Sequence, residues 1–416
     1  MGRTLTSLLL VVLTLTLTAP PALAAEPIRI GVLTGATGAA AAAGDEMIKG
    51  WNLYWKQHGA TVAGRQVQWF VEDTASSPDT ALAKTRLLVE GRQVHMIFGP
   101  ILANEGYAVG QYLKPKGTPH FAVIMASMDL TQRSRTPNML RVAGWAASQT
   151  DHPFGEWVFK RGCKRVVTVA ADYAHGHETT GGFVNTFTDM GGKVLEQLWA
   201  PINEADYGAY LPRIRAASPD CVFLSAVAAS SVTFIKQYKD AGLMEKFPLY
   251  ASEVPTDQAN LRGLTPKEYG VGLITAGHYA EGRNAPATQE FVAAYDREYN
   301  RLPSYYAAAM FTSARWIVDA IEKVKGNVED REGFLRAVRE VQLADSPFGP
   351  LKLDEYGNPV FNVYIRRVEM RPDGRLWNVV SETIPNVSQF YNYNVQEFLK
   401  QPPYSRTYQG IDWPKK

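Results

Sequence analysis

The chain has 416 residues, 46% of them apolar and 20% charged, a globular composition with room for two packed cores. Its 43 lysines and arginines against 41 aspartates and glutamates leave a formal charge of +2, and with no basic tract or repeat there is no electrostatic basis for nucleic-acid binding. Beyond the first two dozen residues no stretch is long and apolar enough to span a bilayer.

Residues 1–24 open with one cation, Arg3, continue as an apolar run from Leu8 to Leu17, and end Ala22-Leu23-Ala24. That order predicts a secretory signal peptide cleaved after Ala24 or Ala25; an uncleaved anchor would need a longer apolar run. The mature protein is expected to be soluble and exported to the periplasm, with a formal charge of +1 once Arg3 is lost.

The first mature strand, Ile28 to Thr34, runs into the Gly-rich turn Gly35 to Gly44 and a helix expected from about Asp45 to His58. A strand, a turn and a helix in this order form the unit that carries a ligand in an open α/β sheet. The turn is no phosphate loop or dinucleotide site: it lacks the lysine, Gly31, Gly35 and Gly38 do not fit GxGxxG, and Asp73 lies too far along for a ribose acid.

The alternation continues with strands Gln66 to Glu72, Val94 to Gly99 and Pro119 to Ile124, and helices from about Asp79 to Glu90 and Asn104 to Lys114. A segment Met139 to Ala143 follows. Strands separated by helix-length segments predict a mostly parallel sheet covered on both faces.

A second series repeats the pattern: helix Ser148 to Lys160, strand Arg165 to Ala170, helix Gly176 to Met190, strand Lys193 to Trp199, helix Tyr207 to Ala217, strand Cys221 to Ser225, helix Ser230 to Ala241, strands Pro248 to Ala251 and Val271 to Thr275. Helices Pro286 to Tyr299, Ser304 to Val324 and Arg331 to Glu340 come next. A hairpin is expected from Phe348-Gly349-Pro350-Leu351-Lys352-Leu353-Asp354 and Val360 to Glu369, and residues 385–416 read as an extended C-terminal tail.

The two cysteines, Cys163 and Cys221, stand at the amino ends of what would be the first and third strands of the second half-sheet, which are neighbours in a 2-1-3 order. A bridge and two buried thiols are both open, and without CxxC the role is structural.

In order and spacing, IRIGVLTGATG, GDEMIKGWNLYW, VEDTASSPDTALAKTRLLVE, FGPILAN, ADYAHGHE and FGPLKLDEYGNP together resemble the type I periplasmic solute-binding proteins, in the leucine/isoleucine/valine-binding branch that feeds ABC importers. The resemblance covers Ile28 to about Glu369. It implies two doubly wound α/β lobes joined by three crossovers near Gly144, Gly277 and Ser346, with a ligand in the interlobe cleft. Lobe one would be 25–144 and 278–345, and lobe two 145–277 and 346–384.

Within that frame, the helix starts at Leu102-Ala103-Asn104 and Met125-Ala126-Ser127 face the cleft, and helix starts suit a carboxylate. The amino-acid-binding relatives carry small hydroxyl residues there; Ala103, Asn104, Met125 and Ala126 depart from this, leaving Ser127. In lobe two, Tyr173 or His175 matches the aromatic that meets the ligand, and Glu253 matches the acid that pairs with a ligand ammonium. Tyr279, Tyr305 and Tyr306 fall in pocket-facing regions, and Ala43 stands where relatives carry a bulky aromatic, leaving space for a ring. His175-Gly176-His177-Glu178 lacks a third nearby ligand for zinc, and no metal or cofactor is expected.

With no GxSxG, HExxH or Walker sequence, an enzyme is not expected. A ligand-sensing receptor domain would need a span or output domain. The expectation is a monomeric carrier that docks on permease subunits and binds an aromatic acid such as a benzoate or phenylpropenoate derivative, the alternative being a branched-chain or other hydrophobic amino acid.

Overall fold

A computed structural model of the protein describes residues 26–409; the expected leader, 1–24, and the last seven residues lie outside these. Six strands, β1 (Ile28–Thr34), β2 (Thr61–Val62), β3 (Arg65–Asp73), β4 (Met96–Phe98), β5 (His120–Ala122) and β6 (Met139–Arg141), form a sheet of order β2-β3-β1-β4-β5-β6. Only β2 is antiparallel to its neighbour. β1 pairs in parallel with β3 on one side and β4 on the other, so the chain winds in both directions from it and the loops at its carboxyl edge diverge into a crevice. Ile28, Ile30, Val32 and Leu33 are fully buried, as a strand covered by helices on both faces requires.

The second sheet repeats the scheme with β7 (Arg165–Ala171), β8 (Lys193–Ala200), β9 (Cys221–Ser225), β10 (Leu249–Ala251) and β11 (Ile274–Gly277). Here β7 lies between β8 and β9, all in parallel. The sheet is completed by β12 (Gln342–Leu343), β13 (Leu351–Leu353), β14 (Pro359–Met370) and β15 (Leu376–Val387), giving nine strands with β14 antiparallel to β11. Between β11 and β12 the helix Tyr305–Lys323 returns to pack along the helix Ala41–His58 of the first sheet. Gly50 makes this possible: a Cβ there would collide with the Ala307 carbonyl. The chain thus passes between two α/β lobes three times.

In each lobe the first helix is drawn tightly onto the end of its strand by a glycine. A Cβ on Gly44 would strike the Gly35 carbonyl, and one on Gly176 would strike that of Ala171. The helix after β1 begins at Ala41 rather than near Asp45, because the run Ala41-Ala42-Ala43 has the highest helix propensity of any residue type and enters the first turn. Asp45 and Glu46 are thereby moved out of the first turn.

Cys163 and Cys221 are disulfide-bonded with Cα atoms 5.8 Å apart, at the end of the β7–β9 pair away from the cleft. The bridge closes 58 residues of chain, and its loss should cost about 2–4 kcal/mol by raising denatured-state entropy. The double variant C163S/C221S should unfold at correspondingly lower urea, and an unchanged midpoint would contradict the estimate.

The chain after Pro385 is less extended than its sequence suggests. The strand β15, paired along β14, runs through to Val387, and the helix Val395–Lys400 follows, capped by Asn394. Phe390, Tyr393, Phe398 and Tyr404 are buried, so these scattered aromatics anchor the segment to the second lobe.

Candidate functional site

Where the carboxyl edges of the two sheets face each other lies a cavity partly open to solvent and lined from both lobes, the place where an open α/β sheet binds its ligand. From the first lobe come Ala39, Ala40, Ala42 and Ala43 at the start of the helix Ala41–His58, Ile101, Leu102 and Ala103 at the start of the helix Ala103–Leu113, and Ile124 and Ala126 after β5. From the second come Tyr173 and His175 around the start of the helix Ala174–Asp189, and Val227 and Ala228 at that of Ala228–Asp240. Ile202, Val254, Ala259, Asn260, Trp145, Tyr305 and Tyr306 complete the wall.

Four helices therefore open onto one cavity; the residues at their N-caps, Ala40, Leu102, Tyr173 and Val227, provide no side-chain cap, and only at Leu102 does a first-turn side chain, Glu105, reach back to accept from the N-cap N–H, at 3.0 Å. Ser77, Asp330 and Asn394 cap helices away from the cavity, while Asp257 and Ser304 cap the two that border it through Ala259, Asn260, Tyr305 and Tyr306. First-turn N–H groups without a capping oxygen are the donors and the positive dipole ends that an anion finds at a helix start. Among the described residues lining the cavity, none is an acid, a lysine or an arginine. His175 is neutral, since burial pushes its imidazole down to about 4.

Ala43, Ala103, Tyr173, His175, Tyr305 and Tyr306 thus meet in the cavity, and Asn104, Met125, Ser127, Glu253 and Tyr279 do not. Asn104 points to solvent from the next position of its helix. Met125 is buried among Ala122, Leu130 and Met139, because the extended chain that turns Ile124 and Ala126 into the cavity turns it to the opposite side. Ser127 sits behind the wall and donates its hydroxyl to the Ala103 carbonyl at 2.7 Å. Tyr279 is buried against Phe348, outside the lining.

Glu253 has a partner within the protein. Its carboxylate accepts from Arg366 Nη1 at 3.0 Å and from the backbone N–H of His278 at 3.1 Å and Tyr279 at 3.2 Å, and lies 2.5 Å from His278 Nδ1. Burial alone would raise its pKa, but His278 and Arg366 hold it below the usual carboxylate value. An ammonium-binding role for Glu253 is replaced by a buried ion pair.

The residue that sequence reasoning missed with most effect is Trp145, one position after Gly144 at the first crossover. Its ring meets Tyr305 edge-on at 5.0 Å and lies 4.8 Å from His278, which stacks on Phe348 at 4.8 Å. One aromatic from each of the three crossovers is in this stack, and Trp145 carries it to the cavity wall. Ile101, Ile124, Ile202, Val227, Ala228, Val254 and Ala259 are small or apolar and carry no sequence signal distinguishing them from core.

A family model described as periplasmic binding protein matches residues 27–375. The chain belongs to that family. Its two lobes and central cleft are those of a type I periplasmic binding protein in the leucine/isoleucine/valine-binding branch. An ABC transporter substrate-binding protein from Sphaerobacter thermophilus is 33% identical, with a TM-score of 0.82 over 88% of this chain and 99% of that one. A solute-binding protein of an ABC transporter from Rhodopseudomonas palustris, solved with 3,4-dihydroxybenzoic acid, is 27% identical, with a TM-score of 0.82 over 88% and 98%. A Leu/Ile/Val-binding protein homolog of Brucella melitensis is 25% identical over 91% of this chain and 93% of its own. No helix among the described residues of this binding protein is long and apolar enough to cross a membrane.

Proposed function

We propose that this chain is the periplasmic solute-binding component of an ABC importer, that it takes up a small aromatic carboxylate of the benzoate or phenylpropenoate class, and that it delivers this ligand to permease subunits after the lobes close on it. The lobes would be 25–144 with 278–345 and 145–277 with 346–384. The observation that carries the reading is a cavity with no charged side chain in its lining and aromatic walls, onto which four helix starts open, three of them without a side-chain cap. A carboxylate gains from such N–H groups and dipoles, about 0.3–1 kcal/mol for each dipole and up to ~2 in buried geometry. An aromatic ring gains from the apolar walls.

A zwitterion fits less well. Its ammonium would be buried with no carboxylate in the lining to meet it, a cost of several kcal/mol. The Rhodopseudomonas relative with a bound dihydroxybenzoate supports the aromatic reading, whereas the name of the Brucella relative favours a branched-chain amino acid. A thermal-shift panel of benzoate, 4-hydroxycinnamate, leucine and valine decides between them. Ligand at ~100 times its dissociation constant should add about 2.7 kcal/mol of stability. Shifts with leucine or valine and none with the aromatic acids would replace this reading by the amino-acid one.

A further inference from the structure

The two ends of the cavity differ in chemistry. At the first-lobe end the helix starts carry Ala42, Ala43 and Ala103, side chains too small to screen the backbone N–H groups beneath them. At the second-lobe end the helix Ala174–Asp189 starts under Tyr173 and His175, whose rings lie 6.0 Å apart. A carboxylate therefore approaches the alanine end, and the ring that carries it points its far edge toward His175.

His175 is only 7% exposed, and its Nε2 is buried with no hydrogen-bond partner in the protein. Buried polar groups are nearly always paired, so a buried nitrogen left over at a cavity wall marks a place where the ligand brings the partner. Of the other polar groups of the lining, Asn260 donates to the Val254 carbonyl at 2.8 Å and the hydroxyls of Tyr305 and Tyr306 interact with each other, which leaves the Tyr173 hydroxyl as the competing group at this end. A neutral imidazole has one donor and one acceptor nitrogen, so it can meet a phenolic hydroxyl in either sense. An ammonium or a second carboxylate would still lack a counter-charge.

We propose that His175 reads a hydroxyl on the ring edge remote from the carboxylate, making the preferred ligands hydroxylated aromatic acids rather than unsubstituted ones. This rests on the aromatic-carboxylate reading of the cavity. The test is calorimetric titration of the full mature chain, at one fixed pH, with benzoate, 3-hydroxybenzoate and 4-hydroxybenzoate. The wild type should bind the better hydroxybenzoate at least tenfold more tightly than benzoate. His175→Phe, which keeps a ring but no hydrogen-bonding nitrogen, should bring that ratio close to one. His175→Gln should restore part of the preference. Equal loss of all three ligands in both His175 variants, no preference in the wild type, or a collapse of the ratio in Tyr173→Phe would each overturn the role of His175. A wild type that binds none of the three overturns the aromatic-carboxylate reading, and this proposal with it.

Discussion

Glu253→Gln should lower the unfolding free energy by about 3–5 kcal/mol, the cost of leaving a buried charge without its partner. Glu253 and Arg366 are both 1% exposed. Besides the carboxylate, the guanidinium reaches the Tyr279 carbonyl at 2.7 Å, the Glu253 carbonyl at 3.0 Å and Thr275 Oγ1 at 3.1 Å. These neutral acceptors leave its charge uncompensated when Glu253 is neutralised, and the new amide NH₂ would face the N–H groups of His278 and Tyr279. The same pair makes stability depend on acid. The folded Glu253 pKa lies below the ordinary value of 4.5, so its contribution is complete above that value and is lost as pH falls through the folded one. Urea unfolding at pH 7 measures the first effect, and an acid series on the wild type the second. The double variant Glu253→Leu with Arg366→Met should recover much of the loss, since an apolar pair of similar volume avoids burying a lone charge. A single variant that unfolds at the wild-type midpoint would refute the account.

The same residue shows where the sequence stops being informative. Local grammar was readable: apolar strands followed by small-residue turns and helices place β1 and β7, and with them the helix starts that bring Ala43, Ala103, Tyr173 and His175 to one cleft. Such positions follow from a rule about the carboxyl ends of strands and need no knowledge of what packs opposite. The partner of Glu253 lies 113 residues away on β14, and nothing near Tyr250-Ala251-Ser252 signals it. Trp145 was hidden for a related reason, as its ring direction is set where three crossovers meet. The strand Leu376–Val387 was obscured by its polar content: Ser381, Glu382 and Thr383 are exposed, and its alternation shows only against β14.

Ligand affinity should weaken as pH rises, approaching tenfold per unit between about pH 6.5 and 8. Glu178, on the helix after β7, reaches across the cleft into the first lobe, where one carboxyl oxygen meets the Tyr107 hydroxyl at 2.8 Å and the other accepts from the Met128 N–H at 3.1 Å. Burial there pushes its pKa up to about 8; the bonds from Tyr107 and Met128 and the charge of Arg141 pull it down, Asp129 pushes it up, and burial prevails. When the lobes separate, this carboxyl regains water and titrates near its ordinary 4.5. The closed form therefore holds one more proton than the open form between these two values, so closure takes up a proton. Its free energy is most favourable below the lower value and is progressively lost as pH rises toward the upper one. At high pH the carboxylate must be buried ionised against Tyr107; at low pH the acid can donate to the Tyr107 oxygen instead. An aromatic acid is already ionised across this range, and His175, which burial holds neutral but which regains its ordinary value of 6.5 with water, gives up a proton on closure only below that value, so the Glu178 slope stands alone above it. Titrations of the tightest ligand from pH 5.5 to 8.5 should show the slope in the wild type, and Glu178→Gln, which fills the same space without a titrating group, should flatten it and bind more tightly than the wild type at pH 8. A wild-type profile that is already flat would mean that Glu178 stays desolvated in the open protein, and the proton would then have no part in closure.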